Sequence, residues 1–280
     1  MAVFGALVVA FLIAFLVVGG FDLKISFCFF AAIFIFFSVG FWDDLFNISP
    51  RIKLALITLA GVLLIPATSL QYNFLERLGA WLLMIIWVDY LSNSFNLLDG
   101  MDGLCTGVAL IAVGFLAGLA AFIGKPFWVA VSMGLFGALA GFLLYNLPPA
   151  RIFLGDGGSY LIGGFLAFVV VGILEVVSLK ILAILWIFGV PVFDTSAVLL
   201  RRVFLKTGML NGDLKHSYNL LLARFKNIQL VLFGLYGIAL FCGACGFGLF
   251  FLPPSFQFLS LIPPLFVLFY NLKFSRYFKE

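Results

Sequence analysis

The sequence predicts an all-α, polytopic membrane protein of about ten transmembrane helices, with its chemistry-bearing side chains gathered at the cytoplasmic face. Three observations carry that prediction. Hydrophobic residues make up 65% of the 280 positions and charged residues only 10%, with a mean hydropathy of +1.25; soluble domains carry about a quarter charged residues. Apolar runs recur along the whole chain at lengths of about 17 residues or more, enough to cross a bilayer as helix. The runs are continuously apolar rather than alternating, which excludes a membrane β-barrel.

Taken in order, the predicted spans are 2–18, 25–41, 53–70, 78–93, 104–123, 127–147, 158–176, 180–199, 228–250 and 256–272. The 78–93 run is the shortest, and the region 158–200 also admits a different division. All ten are read as one integral-membrane domain, 1–280. The first run has no basic segment before it, so it reads as a retained helix rather than a signal peptide. Cys28, Cys105, Cys242 and Cys245 lie in or beside apolar runs, as small packing residues do. The Cys242–Cys245 pair lacks the context of a redox or zinc motif.

An even number of spans puts both termini on one side. One set of loops then collects twelve basic residues, among them Arg51, Lys53, Arg151, Arg201, Arg202 and Arg224, while the other holds Lys24, Arg77, Lys125 and Lys180. The positive-inside rule makes the first side cytoplasmic. The net charge of +4 is thus mostly topology and needs no nucleic-acid partner. Asp43, Asp44, Asp99, Asp102, Asp156, Asp194 and Asp213 fall on the same side. Dense carboxylates beside apolar helices are costly without partners. Their convergence from separate segments is the main functional signal, set against the plain fact that loops are polar.

Four segments hold these acids. In "FWDDLFNISPRIKL", Asp43 and Asp44 end one helix and Lys53 opens the next. Adjacent carboxylates repel, so a cation or a shared proton must stabilise them, and the pair can act as metal ligand or general base. In "NSFNLLDGMDGL", Asn93, Asn96, Asp99 and Asp102 recur every third residue. On a continuous helix Asn96 and Asp99 share a face, whereas Asn93 and Asp102 diverge. Gly100 and Gly103 predict that the helix tightens or breaks there. A broken end lined with oxygens suits a hard divalent cation; capping and turning between two spans is the plainer reading.

In "RIFLGDGGSYLIGG", Asp156 sits between glycines before an apolar span. The helix start there could offer N–H groups to an anion, although a tight turn explains the glycines as well. Phe153 is an aromatic placed where it can stack on a base. The segments "VPVFDTSAVLLRR" and "NGDLKHSYNLLLAR" add Asp194, Arg201, Arg202, Asp213, Lys215, His216 and Arg224. Guanidinium and ammonium groups beside a metal site point to phosphate. Arg201 and Arg202 serve equally as positive-inside anchors, and His216 can orient or protonate a phosphate oxygen. Asp89 falls late in the 78–93 span, where an ionisable residue needs a partner or a task.

In order and spacing these four motifs resemble those of the polyprenyl-phosphate N-acetylhexosamine-1-phosphate transferases, and the likeness extends over nearly the whole chain. The resemblance is to the WecA and TagO type rather than MraY. It implies about ten or eleven transmembrane helices in the plasma membrane. The implied reaction moves a sugar 1-phosphate from a UDP-N-acetylhexosamine, UDP-GlcNAc by default, to a polyprenyl phosphate such as undecaprenyl phosphate. The implied cofactor is Mg²⁺, or Mn²⁺, and the products are a lipid-linked diphosphosugar and UMP, the first step of a cell-surface polysaccharide. Carried over by position, Asp156 is the main metal ligand, with Asn96 and Asp99 lining the same site. Asp102 lies at the nucleotide or metal surroundings. Asp43 and Asp44 match paired aspartates that activate the lipid phosphate, Lys53 a phosphate-side lysine, and Phe153 an aromatic stacking on uracil. A homodimer is also compatible with the family.

Two departures accompany the resemblance. The family's His-x-His-His loop reads here as "HSYN", keeping His216 with Tyr218 and Asn219 at the paired-His positions. Members also carry one more helix and a basic loop before the helix that "MAVFGALVVAFLIAF" resembles. An ion-coupled transporter is the competing reading. It predicts acids near the bilayer midplane and related halves, whereas here most acids gather at one surface and no repeat is visible.

Overall fold

The computed structural model describes residues 23–65, 74–174, 180–205 and 216–257, together with isolated positions within the first twelve residues. The predicted spans 2–18 and 256–272 lie largely outside the described residues. Every described element is a helix or a turn between helices. Among the described residues six helices are long and apolar enough to cross a membrane, or seven if one bent pair is a single span. The chain divides into two compact units, residues 1–178 and 179–280.

The first unit holds α1 (Leu23–Phe46), α2 (Pro50–Leu63), α3 (Phe74–Leu98), α4 (Leu104–Phe122), α5 (Pro126–Asn146) and α6 (Gly155–Leu174). Local chemistry sets the corner between α1 and α2. Asn47 turns left-handed at φ 49° and ends α1. Ser49 is extended ahead of Pro50, which opens α2 at a position where a missing N–H costs nothing. α3 is longer than the predicted 78–93. Its polar residues satisfy themselves inside the helix: Asn93 Nδ2 donates to the Asp89 carbonyl at 2.7 Å and Ser94 Oγ to the Tyr90 carbonyl at 2.7 Å. The chain can therefore stay helical past the apolar stretch.

α6 is the central helix. Of its most apolar window 83% is buried, and α1, α3, α4 and α5 all pack on it. Phe29 of α1 meets Phe165 of α6 edge-on and lies tilted over Phe168, and Trp128 of α5 meets Phe168 edge-on. Lipid is as apolar as the helices, so close backbone approach rather than hydrophobic drive must hold such a bundle. Gly40 of α1 supplies that approach: a Cβ there would lie 2.2 Å from the main chain of Asp156 and Gly157. Large apolar side chains such as Phe27, Phe34, Leu82 and Ile86 remain on the outside, as expected of surfaces that meet lipid.

The second unit holds α7 (Ile181–Ile187), α8 (Gly189–Leu205), α9 (Ser217–Phe225), α10 (Ile228–Phe251) and α11 (Pro254–Gln257). The predicted straight span 180–199 is instead two helices bent by 94°. Pro191 explains the break: it has no N–H for the Ile187 carbonyl, and its ring would collide with that carbonyl in a continuous helix. α10 packs on α7, α8 and α9, and Asn227 caps it by accepting from the Leu230 N–H at 3.0 Å.

Candidate active site

In the first unit the ends of α1 and α3 and the beginnings of α2 and α6 meet at one end of the bundle, and each brings a polar side chain. Asp43, buried near the end of α1, is ion-paired with Lys53 of α2. Lys53 Nζ also lies 3.6 Å from Asp156 Oδ2, so one ammonium bridges two carboxylates from distant parts of the chain. Asn96 Nδ2 donates to Ser159 Oγ at 3.1 Å, and Ser159 Oγ donates to the Asp156 carbonyl at 3.2 Å.

Asp44 has a different task from its neighbour. Its carboxylate accepts the main-chain N–H groups of Asp156 at 3.1 Å and Gly157 at 3.4 Å. The sequence predicted that the start of this helix could receive an anion, and Asp44 supplies one from within the chain. Gly155 has φ +67° and packs so closely that a Cβ would lie 2.8 Å from Asp44 Oδ2. Only glycine takes that backbone shape without strain and leaves the room.

The predicted break in "NSFNLLDGMDGL" is present. α3 ends at Leu98, Asp99 closes a tightened turn on the Asn96 carbonyl at 3.2 Å, and α4 starts at Leu104 after Gly103 at φ 77°. Asn93 points back into its own helix, away from the cluster. Asp102 accepts from the Ala150 N–H at 3.0 Å, tying this turn to the 147–154 segment that carries the exposed Phe153. The Asp99 carboxyl makes no hydrogen bond or ion pair with the described residues. Its pKa is raised from the ordinary 3.8 to about 8, first by burial and then by the charges of Asp156, Asp44 and Asp102.

A carboxyl crowded by three others calls for a cation. Among the described residues no three His, Cys, Asp or Glu side chains form a ready-made metal cage. The donors on offer are the carboxylates of Asp99 and Asp156 and the amide of Asn96. This hard-oxygen set, with positions left for water and phosphate, fits the way Mg²⁺ is usually held.

Sequence reasoning missed Asn146. It lies buried at the end of α5. Its Oδ1 accepts from Gly103 N at 3.2 Å and Thr106 Oγ1 at 2.9 Å, and its Nδ2 donates to the Ile152 carbonyl at 2.9 Å. It thus joins the 99–103 turn to the segment leading to Asp156. The available signal was an amide directly before Leu-Pro-Pro at the end of an apolar span. Asn146→Ala strands several buried groups at about 1–3 kcal/mol each. Thermal melts in detergent should show a clear drop in Tm, and an unchanged Tm would show the two segments to be held by other contacts.

The second unit carries its own cluster. Asp194 of α8 pairs with His216 Nδ1 at 2.8 Å, accepts the Ser217 main-chain N–H at 2.7 Å, and is bonded by the Ser217 hydroxyl. Asp194 therefore fixes the His216 ring, which stacks on Tyr218, and anchors the start of α9. Arg202, buried, and Arg201 follow on α8. Asp213 and Lys215 lie outside the described residues.

These features define a multi-pass helical membrane protein with an acidic, lysine-bridged site at one end of a helix bundle. The glycosyl transferase family 4 model matches residues 26–174, the stretch that builds this site, and the chain belongs to that family. It is 33% identical over 202 residues to a probable undecaprenyl-phosphate N-acetylglucosaminyl 1-phosphate transferase of Bacillus subtilis, covering 68% of this chain and 56% of that protein. An undecaprenyl-phosphate alpha-N-acetylglucosaminyl 1-phosphate transferase of Thermotoga maritima is 30% identical over 187 residues, covering 65% and 57%. A phospho-N-acetylmuramoyl-pentapeptide-transferase of Oceanobacillus iheyensis is 37% identical over 169 residues, covering 57% and 48%. The chain thus spans about half the length of these relatives.

Proposed function

We propose that this protein transfers N-acetylglucosamine 1-phosphate from UDP-GlcNAc to undecaprenyl phosphate at the cytoplasmic face, giving the lipid-linked diphosphosugar and UMP. The observation that carries this reading is the lysine-bridged Asp43–Asp156 pair beside Asn96 and Asp99, in a family whose named relatives include GlcNAc 1-phosphate transferases. The "HSYN" loop, with His216 alone, favours these relatives over the muramoyl-pentapeptide type.

In this reading Asp156, Asp99 and Asn96 would hold Mg²⁺, or Mn²⁺, which when bound would supply positive charge against the diphosphate and polarise the β-phosphorus. Asp43 takes the residual proton of the lipid phosphate, and Lys53 steadies its oxygens. The lipid phosphate oxygen forms its bond to the β-phosphorus as the bond to UMP breaks. Asp44 holds the start of α6, and with it Asp156, in place. Phe153 stacks on uracil, with Asp102 at the nucleotide side. Within the second unit, Arg201, Arg202 and the Asp194-oriented His216 supply groups suited to phosphate oxygens. Attack is direct, because a phosphate dianion is already a competent nucleophile. Labelled phosphate trapped on Asp43 or Asp44 in rapid-quench experiments would overturn that order of events. The whole reading is tested by incubating purified protein, Mg²⁺ and undecaprenyl phosphate with a panel of UDP-sugars. UMP should be released with UDP-GlcNAc; silence with every sugar refutes the proposal.

The acidity of Asp99 adds a pH prediction. Its folded-state pKa is raised, so near neutrality the folded protein holds a proton that the unfolded chain has lost. The metal-free protein therefore loses stability from this group as pH rises from about 4 through 8. A cation must displace that proton. Apparent Mg²⁺ affinity, read from the shift in Tm at constant ionic strength, should rise by up to about tenfold per pH unit from 6 to 8 and then level off. A flat profile would remove Asp99 from the metal site.

A further inference from the structure

Asp89 takes no part in the chemistry above, yet it sits in the middle of α3. Ten residues separate it from Asp99, or about 15 Å along the helix, half of a hydrocarbon core about 30 Å thick. Among the described residues the side-chain partner of Asp89 is Thr58 of α2, whose Oγ1 lies 2.8 Å from Asp89 Oδ2. The same Oγ1 lies 2.8 Å from the Leu54 carbonyl. The other carboxyl oxygen, Oδ1, is buried with no hydrogen-bond partner among the described residues.

Counting protons leaves two arrangements: Thr58 donates to Asp89 and its contact with the Leu54 carbonyl holds no proton, or Thr58 donates to Leu54 and Asp89 carries the proton between them. A threonine hydroxyl has one proton to donate, and a carbonyl can only accept. If Thr58 donates to Leu54, the second short contact needs a proton on Asp89 Oδ2. A neutral carboxylic acid provides it, and its unpartnered Oδ1 is then an uncharged carbonyl oxygen. An ionised Asp89 would instead leave a bare, charged oxygen buried within a membrane span, which is costly.

The pair also occupies a particular seam. Ile57 and Ala60 of α2 are fully buried, and a Cβ on Gly61 would sit 3.5 Å from Val88 of α3. Thr58 is five residues after Lys53, and Asp89 is seven before Asn96. The bond therefore joins the helix that presents Lys53 to the helix that presents Asn96 and Asp99.

We propose that Asp89 is a protonated carboxylic acid that donates to Thr58 and so clamps α2 against α3, setting where Lys53 stands relative to Asn96. It is a positioning residue, since it reaches the site only through Thr58 and the two helices. Its effect on turnover rests on the transfer reading above, but its protonation does not.

Three variants test this. In Asp89→Asn the amide N–H replaces the carboxyl O–H toward Thr58, so kcat and both KM values should stay within about twofold of the parent. Asp89→Leu and Thr58→Val remove the bond, and kcat per folded molecule should fall by about ten- to a hundredfold through misplacement of Lys53. A merely structural contact would lower Tm in those two variants and leave kcat of the folded fraction alone. Infrared difference spectra at neutral pH should show a protonated carboxylic acid C=O band in the parent that is lost in Asp89→Asn. Loss of turnover in Asp89→Asn, or a difference spectrum showing carboxylate instead, overturns the proposal. If the parent transfers no sugar at all, the transfer reading fails while the infrared spectra still decide the state of Asp89.

Discussion

In the proposed transfer reaction, Asp156→Asn is expected to abolish UMP release while leaving the protein folded. Asp156 stands where Lys53, Asn96 and the charges of Asp43 and Asp99 converge, so its carboxylate is the anionic donor that a cation at this site could least spare. An interaction worth about 4 kcal/mol in the transition state corresponds to about a thousandfold in rate, and the variant should lose at least that much. The fold should survive. Asp156 is tied to Asp44 through its main-chain N–H, which asparagine keeps, and Lys53 keeps Asp43 as a partner. Removing one of several crowded negative charges should leave the metal-free Tm unchanged or higher. Steady-state UMP release and a detergent melt on the same preparation measure both. Near-parental turnover would refute the metal role of Asp156.

The second large effect is expected at Gly40, which bears no functional group. The Cβ of Gly40→Ala would lie 2.2 Å from the carbonyl carbon and oxygen of Asp156 and from the nitrogen of Gly157. A backbone cannot rotate aside as a side chain can, so α1 and α6 must separate by at least about 1.2 Å to recover ordinary contact. Overpacking of this kind costs about 3 kcal/mol, and the displaced residue is Asp156 itself. A shift of that size can cost about a hundredfold in turnover even where the fold persists. Gly137→Ala and Gly141→Ala provide the comparison: both lie on α5 with nothing within 4 Å of the added carbon, and both should melt and turn over like the parent. Equal Tm values for Gly40→Ala and Gly137→Ala would show that α1 and α6 do not cross this closely.

Much of this protein was legible before its structure. A side chain that can hydrogen-bond is expensive beside lipid, so the acids and amides kept at the ends of apolar runs marked Asp43, Asp44, Asn96, Asp99, Asp102 and Asp156. The turn at Gly100–Gly103 was visible in its glycines. Helix limits were less visible. α3 runs past the predicted end because Asn93 and Ser94 bond carbonyls of their own helix. The 180–199 span breaks because Pro191 denies a bond to Ile187. Asn146 escaped notice because an amide at a span's end looks like an ordinary boundary until its partners, at Gly103, Thr106 and Ile152, are seen.

By itself the sequence determined the class of solvent this chain is built for, the helical architecture that follows from it, and the inventory of oxygen and nitrogen groups at its polar end. Those properties depend on composition and on patterns within short windows. Only the tertiary structure decided what each group touches. Asp43 and Asp44 are chemically identical neighbours, yet one is ion-paired with Lys53 and the other receives the first N–H groups of α6. Successive side chains on a helix point about 100° apart, so adjacent residues face different neighbours. Which neighbours those are is set by how closely α1 crosses α6 at Gly40, a separation that no local run of residues records.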